Sequence, residues 1–366
     1  MAERVLILTA SVGEGHNLPA RTLSDQIHAE SPTTEVVVAD GLRAMGRQFI
    51  LVNETAPGVV FYRFRWIWDA AFWFFVTCVP TRRFMQWYVW KTGARGLLKL
   101  IAETKPDVIV SVYPVTTEVL GHLRRAGRVE VPVCAAITDL AMMHYWAAPG
   151  IDLHLITHPE TEAEVRSIAG EQTEVRVVHG LTRPEFVEPY DSTEARQLLE
   201  LPADGKVVLV SGGGWGVGDL SVAVEAALAL ETVSAVVCLC GRNDTLRDQL
   251  AGRFAGDPRF RAEGFTEQIA DWLAAGDALI HSTGGLTVLE AHMRGCPTIS
   301  FGWGRGHIRA NNAAFRQFGL AEVAATPAEL RTALDRALVS RGAPDGSFAA
   351  LPSAASAVLG FATAGR

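Results

Sequence analysis

The residues best placed to do chemistry lie between Ala278 and Met293. Ala278-Leu279-Ile280 is an apolar run of the length of a buried parallel strand, Gly284-Gly285 break it, and Leu286 to Met293 carries helical spacing. A strand that ends in glycines and opens a helix leaves backbone N–H groups aimed at one point, and the helix dipole favours negative charge there. Such a turn is an anion site. Glu290 falls within the second helical turn, where a carboxylate suits two vicinal ribose hydroxyls, which are donors. The same pattern also describes an ordinary glycine-bearing strand–helix turn with a solvated glutamate.

Glycine-rich turns follow strand-like runs at two further places, Ser11–His16 and Ser211–Gly218. None of the three has the GxxxxGK[ST] spacing of a P-loop, and Gly212-Gly213-Gly214 alone is a weak signal that serves many nucleotide folds.

Elements of one recurring kind must position these turns. Strands are expected at Arg4–Ala10, Glu35–Ala39, Pro106–Ser111, Val131–Ile137, Asp152–Ile156 and Val175–Val178, with helices at Leu18–Ala29 and, following Ser111, to about Arg125. Gly180 to Tyr190 has two prolines and no period, and reads as linker. The alternation then restarts, with strands at Lys206–Ser211, Ser234–Gly241, Ala278–Ile280 and Thr298–Phe301. Helices are expected at Val217–Leu230, Asp244–Phe254, Leu286–Met293, His307–Phe318 and Thr326–Ser340, with a weak closing helix in Phe348–Ala364. Strands alternating with helices imply parallel sheets covered on both faces, with ligands outside the carboxyl ends of the strands. The expected fold class is α/β, two doubly wound Rossmann-like domains facing a cleft. The expected boundaries are 1–180, a linker at 181–205, 206–342, and a tail at 343–366.

Composition sets limits. The chain has 366 residues, 49% of them hydrophobic, enough for two cores. A net charge of −7 argues against general nucleic-acid binding. Five cysteines without a CxxC pair, Cys238 and Cys240 sharing one strand face, point away from a disulfide framework or a zinc site. His154, His158 and His179 do not form a metal-ligand spacing. The N-terminal apolar run reads as a first strand, too short for a signal peptide. With no run of about 20 uncharged apolar residues, no spanning helix is expected.

One segment departs from the alternation. Residues 61–100 carry thirteen aromatics, among them Trp66, Trp68, Trp73 and Trp87, and seven cations against one acid, Asp69. Trp and Tyr favour the headgroup level of a bilayer, and Lys and Arg are drawn to anionic lipid at about 1 kcal/mol each. The expectation is a helical insertion that rests on an anionic membrane surface, with part of it, around Phe72 to Val79, in the core. The alternative is an aromatic subdomain packed on the first sheet.

Taken in order, these features resemble the monogalactosyldiacylglycerol synthase branch of the inverting glycosyltransferases of the GT-B fold, the glycosyltransferase family 28 type. The residues that carry the resemblance are Gly13-Glu14-Gly15-His16, Thr138-Asp139-Leu140 with His144 and Trp146, Gly180 to Phe186, Gly212-Gly213-Gly214, Gly241-Arg242-Asn243, Gly264-Phe265, Ser282 to Glu290, and Gly306-His307 to Asn311-Asn312. It implies a UDP-sugar donor in the C-terminal domain. Gly213, Arg242, Phe265 and Ser282 would line the donor site, and Phe265 would stack on the base. Gly284, Gly285, Leu286 and Thr287 would cradle the diphosphate and Glu290 would hold the ribose. His307 and Asn311 would meet the sugar hydroxyls; the family often has Gln or Glu where His307 stands, which leaves the sugar open.

The resemblance further implies direct displacement at the anomeric carbon, without metal or other cofactor. The acceptor would be a membrane lipid such as diacylglycerol, and the enzyme would be cytoplasmic and peripheral on that face of the membrane. The base should come from the N-terminal domain. His16 is the first candidate, at the end of strand one, with an unperturbed imidazole pKa of about 6.5 suited to proton abstraction. Asp139 is the second, as base, as a residue orienting His16 or His144, or as a plain helix cap. Gly15, His144 and Trp146 would line the acceptor mouth. Other readings are transfer to a soluble aglycone, a sugar-nucleotide epimerase of the same architecture, and a non-catalytic sensor.

Overall fold

The computed structural model describes residues 3–10, 14–50, 70–302, 306–339, 341–342 and 346–364. It divides into two compact units, Met1–Pro184 with Arg305–His307 and Ala350–Arg366, and Glu185–Gly304 with Ile308–Ala349.

The first unit holds β1 (Arg4–Thr9), β2 (Glu35–Asp40), β3 (Val108–Ser111), β4 (Val133–Ile137), β5 (Leu153–Ile156) and β6 (Glu174–Val177), ordered β2-β1-β3-β4-β5-β6. Every pairing is parallel. β1 and β3 carry unbroken Val, Ile and Leu runs, and all four inner strands are buried because helices cover both faces. The order reverses between β1 and β3, so the crevice for a ligand opens at the carboxyl ends of those two strands.

The second unit holds β7 (Lys206–Ser211), β8 (Val233–Leu239), β9 (Phe260–Glu263), β10 (Ala278–His281), β11 (Thr298–Phe301) and β12 (Glu322–Ala324), ordered β12-β11-β10-β7-β8-β9 and again all parallel. Its reversal lies between β7 and β10, the two strands whose glycine-rich turns were singled out.

Several boundaries differ from expectation. The first helix opens at Glu14 rather than Leu18, so Gly15 and His16 are already helical, and Pro19 lies inside it. Thr9 draws this start close to β1 by donating its hydroxyl to the His16 carbonyl. The edge strands β9 and β12 are half polar and short, and carry little apolar signal. Helices Ser192–Leu198 and Ile269–Ala275 also stand outside the expected set. The closing helix, Ala354–Ala364, lies in the first unit, where Ala354, Ala355 and Val358 share a core with Val5 and Ile7.

In the aromatic segment, Trp73–Thr77 forms a π-type turn and Val79–Thr104 a long helix, with Val89, Gly93 and Leu97 buried at every fourth position. The helix sits tight on Gly41–Met45. A Cβ at Gly96 would lie 1.8 Å from the Ala44 carbonyl oxygen, and one at Gly93 2.4 Å from Met45 Cε. The outer face leaves Trp73, Phe74, Phe84, Trp87 and Tyr88 exposed beside Arg83, Lys91 and Arg95. Among the described residues no helix is long and apolar enough to cross a membrane.

Candidate active site

In the first unit the site grows from the end of β1. Thr9 Oγ1 donates to the His16 carbonyl at 3.0 Å and reaches Asn17 Oδ1 at 3.1 Å, which sets the first helical turn over the strand end. The His16 ring meets Tyr113 edge-on, with centroids 4.9 Å apart at 89°, and Trp146 at 5.9 Å and 43°. Tyr113 follows β3 and Trp146 follows β4, so segments from three strand ends converge on the imidazole. Burial, then the charge of Asp40, pushes the Tyr113 phenol well above its ordinary range and keeps it neutral. Tyr113 is absent from the motifs; its one signal is its place at a strand end, before Pro114.

Asp139 stands two residues beyond β4, half-buried, with Oδ1 accepting the Leu140 N–H at 2.8 Å. It is not a helix cap. The turn Met143–Trp146 starts from Met142, in the left-handed region at φ 60°, with no side-chain cap. That conformation is costly for a bulky side chain, and strain of this kind gathers at ligand sites. Trp146 is fully buried with Ile137 and Val165, so its role is packing around His16.

His144 is exposed. Desolvation and then the Arg82 charge lower its pKa against the pull of Glu118, an effect that its contact with water screens. Gly15 is exposed, with open space around it. The aromatic segment is tied to this loop: Tyr145 OH donates to the Phe75 carbonyl at 2.9 Å, and Gln86 Nε2 donates to the His144 carbonyl at 3.1 Å. Gln86 also donates to the buried Glu118. Trp73 and Trp87 lie on the exposed face; Trp66 and Trp68 lie outside the described residues.

In the second unit the residues assigned to the donor leave the carboxyl ends of β7, β8, β9, β10 and β11. The Gly285–Met293 helix opens at Gly284 with no side-chain cap. Its approach is knit to the turn after β7: Ser282 Oγ donates to the Val217 carbonyl. A Cβ on Gly213, at φ 69°, would come within 3.1 Å of Thr283 Cγ2, so the two glycine-rich turns meet at the switch point. Leu286 and Thr287 are partly exposed in the first helical turn, and Glu290 is buried.

Arg242 lies with its guanidinium 3.9 Å from the Phe265 ring centroid, a cation–π pair that presents the half-exposed ring to solvent. The Arg242 N–H donates to the Gly214 carbonyl at 2.9 Å and joins the β8 and β7 turns. His307 is in the first turn of the Gly306–Phe318 helix. On the same helix Asn311 is 0% exposed, and neither its Oδ1 nor its Nδ2 has a partner among the described residues. The neighbouring Asn312, by contrast, accepts from Ser300 Oγ at 2.6 Å. A fully buried amide with no partner marks a place where something else completes the bonding. Among the described residues no group of three or more His, Cys, Asp or Glu is disposed around a metal position.

Two switch-point sites on two parallel sheets define the architecture of GT-B glycosyltransferases, and solved structures of that fold match nearly the whole chain. MurG of Acinetobacter baumannii superposes with a TM-score of 0.59 at 15% identity, covering 99% of each chain. SnogD of Streptomyces nogalater gives 0.59 at 17%, covering all of both. The profile of the monogalactosyldiacylglycerol (MGDG) synthase family matches residues 16–181. The processive diacylglycerol beta-glucosyltransferase of Bacillus pumilus is 26% identical over 329 residues, 88% of this chain and 83% of that one. Its counterpart in Staphylococcus aureus is 24% identical over 89% and 82%. The chain has the GT-B fold, and its similarity to the monogalactosyldiacylglycerol synthase family over residues 16–181 and to diacylglycerol glucosyltransferases over most of its length supports a hexosyltransferase.

Proposed function

We propose that the protein transfers a hexose from a UDP-hexose to a hydroxyl of diacylglycerol at a membrane surface, with inversion at the anomeric carbon. The observation that carries the donor half is the helix start at Gly284, without a side-chain cap, at the β7/β10 switch point, in a unit that also holds the buried Glu290 and Asn311, whose buried amide has no partner among the described residues. The relatives named as diacylglycerol glucosyltransferases support the acceptor.

In this reading the acceptor oxygen forms a bond to C1 of the hexose as the bond from C1 to the β-phosphate oxygen breaks. The acceptor proton passes to His16, and the electron pair leaves on UDP. Backbone N–H groups of Gly285, Leu286 and Thr287 stabilise the leaving charge, so the reading needs no metal. Glu290 accepts from the ribose and Phe265 stacks on the base. Asp139 orients the acceptor hydroxyl or His16.

Asn311 gives a test that separates binding from stability. Replacing a partnerless buried amide by an apolar residue of similar shape is close to neutral or stabilising. Asn311→Leu is expected to hold or raise the melting temperature while it raises donor KM about tenfold, the size of a lost hydrogen bond. A variant with unchanged donor KM would remove Asn311 from the donor site.

The exposed aromatic–basic face supports a membrane-facing role. Burying a side chain such as Phe84 or Trp87 in the bilayer interface is worth about 1.5–3 kcal/mol. Phe84→Ser with Trp87→Ser is therefore expected to weaken sedimentation with anionic vesicles at least about tenfold. Equal sedimentation of variant and wild type would remove this face from any membrane-binding role.

The reading as a whole is tested by mass spectrometry of diacylglycerol-containing vesicles incubated with a panel of UDP-sugars. Hexosyl-diacylglycerol is expected. Sugar transfer only to soluble acceptors, or isomerised donor without transfer, would replace it.

A further inference from the structure

His281, the last residue of β10, belongs to none of the motifs. It is 1% exposed, and its Nδ1 lies 2.9 Å from Thr283 Oγ1 and 3.3 Å from Thr283 N. A backbone N–H only donates, so Nδ1 accepts there and the ring proton sits on Nε2. That Nε2 is buried with no hydrogen-bond partner among the described residues. Phe315 packs edge-on against the ring, with centroids 5.7 Å apart. Burial, then the neighbouring His292, holds the imidazole down at about 3, so it stays neutral.

A buried N–H without a partner is costly, and an apolar residue would suit the packing better. What the imidazole supplies, and an apolar residue cannot, is the Nδ1 lone pair. That lone pair turns the Thr283 N–H inward and fixes the path of the chain into Gly284. The other side of the turn is pinned to the loop after β7, where a Cβ on Gly218, at φ 130°, would come within 2.4 Å of Ser282 Oγ.

We infer that His281 is a positioning residue for the donor diphosphate: a single neutral tautomer holds the Ser282–Thr283 turn in the shape that presents the Gly285–Met293 helix start to the nucleotide. This inference rests on the UDP-sugar reading above.

The test is UDP binding by calorimetry, together with donor and acceptor KM and kcat, on the full chain carrying His281→Asn, His281→Leu or Thr283→Val. Asparagine can place an acceptor oxygen near the position of Nδ1, whereas leucine keeps bulk without an acceptor. His281→Leu is expected to weaken UDP binding about tenfold and to raise donor KM with acceptor KM unchanged. His281→Asn should restore binding close to wild type, and Thr283→Val should weaken it by a smaller factor. Wild-type UDP affinity in His281→Leu, or no rescue by asparagine, would overturn the inference. Should His281→Leu fail to fold, unchanged UDP affinity in Thr283→Val would overturn it equally. A wild-type protein that binds no UDP would overturn the donor reading itself, and the inference with it.

Discussion

Replacing His16 by asparagine is expected to lower kcat about 10²–10⁴-fold, the usual worth of a positioned general base, while UDP affinity stays near wild type. The two parts of this result come from different units. His16 lies at the β1/β3 switch point of the first, among Tyr113 and Trp146. The residues proposed for the nucleotide lie in the second. Asparagine keeps a polar side chain but supplies no group that takes a proton near neutral pH. Steady-state kinetics with both substrates saturating, beside calorimetry with UDP, read the two effects separately. An equal loss in kcat and in UDP affinity would make His16 a binding residue. Asp139→Asn distinguishes the second candidate: a fall as large as that of His16→Asn would make Asp139 the base or its necessary partner.

The second large effect concerns stability. Asp277, 7% exposed at the start of β10, accepts from Arg196 Nη2 at 2.6 Å and from the Val207 N–H at 2.8 Å, with Lys206 Nζ at 3.5 Å. Arg196 is itself buried and spends its other donors on the carbonyls of Ala275, Ala203 and Gly205. Removing the carboxylate leaves a guanidinium in low dielectric without its counter-charge, a change that typically costs about 3–5 kcal/mol. Asp277→Ala is therefore expected to destabilise the second unit by that amount, read by urea unfolding. Because Asp277 sits at the end of β10 away from the glycine turn, activity per folded molecule should persist. Adding Arg196→Met should recover part of the loss, since it removes the stranded charge. Full stability in Asp277→Ala would mean that water reaches Arg196 and that the pair contributes little.

The alternation of apolar runs and glycine turns announced both sheets, because buried parallel strands need unbroken Val, Ile and Leu runs and their helices need starts. Val5 to Leu8 and Val207 to Val210 are of this kind. Where burial is partial the signal fades. Phe260–Glu263 alternates with two charged residues, and Glu322–Ala324 has three positions, yet both complete the second sheet at its edges. The start of the first helix was hidden for another reason. Gly13-Glu14-Gly15 has turn composition, while the hydroxyl that anchors the helix belongs to Thr9, on the preceding strand.

The proposed site divides along the same line. Residues held by local backbone geometry, such as Gly213 at φ 69° and Gly218 at φ 130°, show in the sequence because glycine is what that geometry selects. Tyr113 and His281 act through where a strand ends and what packs beside it. Neither belongs to a motif, and only the assembled sheets bring them to a switch point. The exposure of Phe84 and Trp87 likewise depends on which side of the Val79–Thr104 helix faces Gly41–Met45.

The central claim is a one-step displacement in which His16 takes the acceptor proton as UDP departs from the opposite side of C1. The anomeric configuration of the lipid product tests it most directly. A single displacement on an α-linked UDP-glucose or UDP-galactose gives a β-linked glycoside, recognisable by proton NMR from the large coupling of trans-diaxial H1 and H2. A β-linked hexosyl-diacylglycerol is the predicted product. An α-linked product from the same donor would contradict the displacement and the role given to His16.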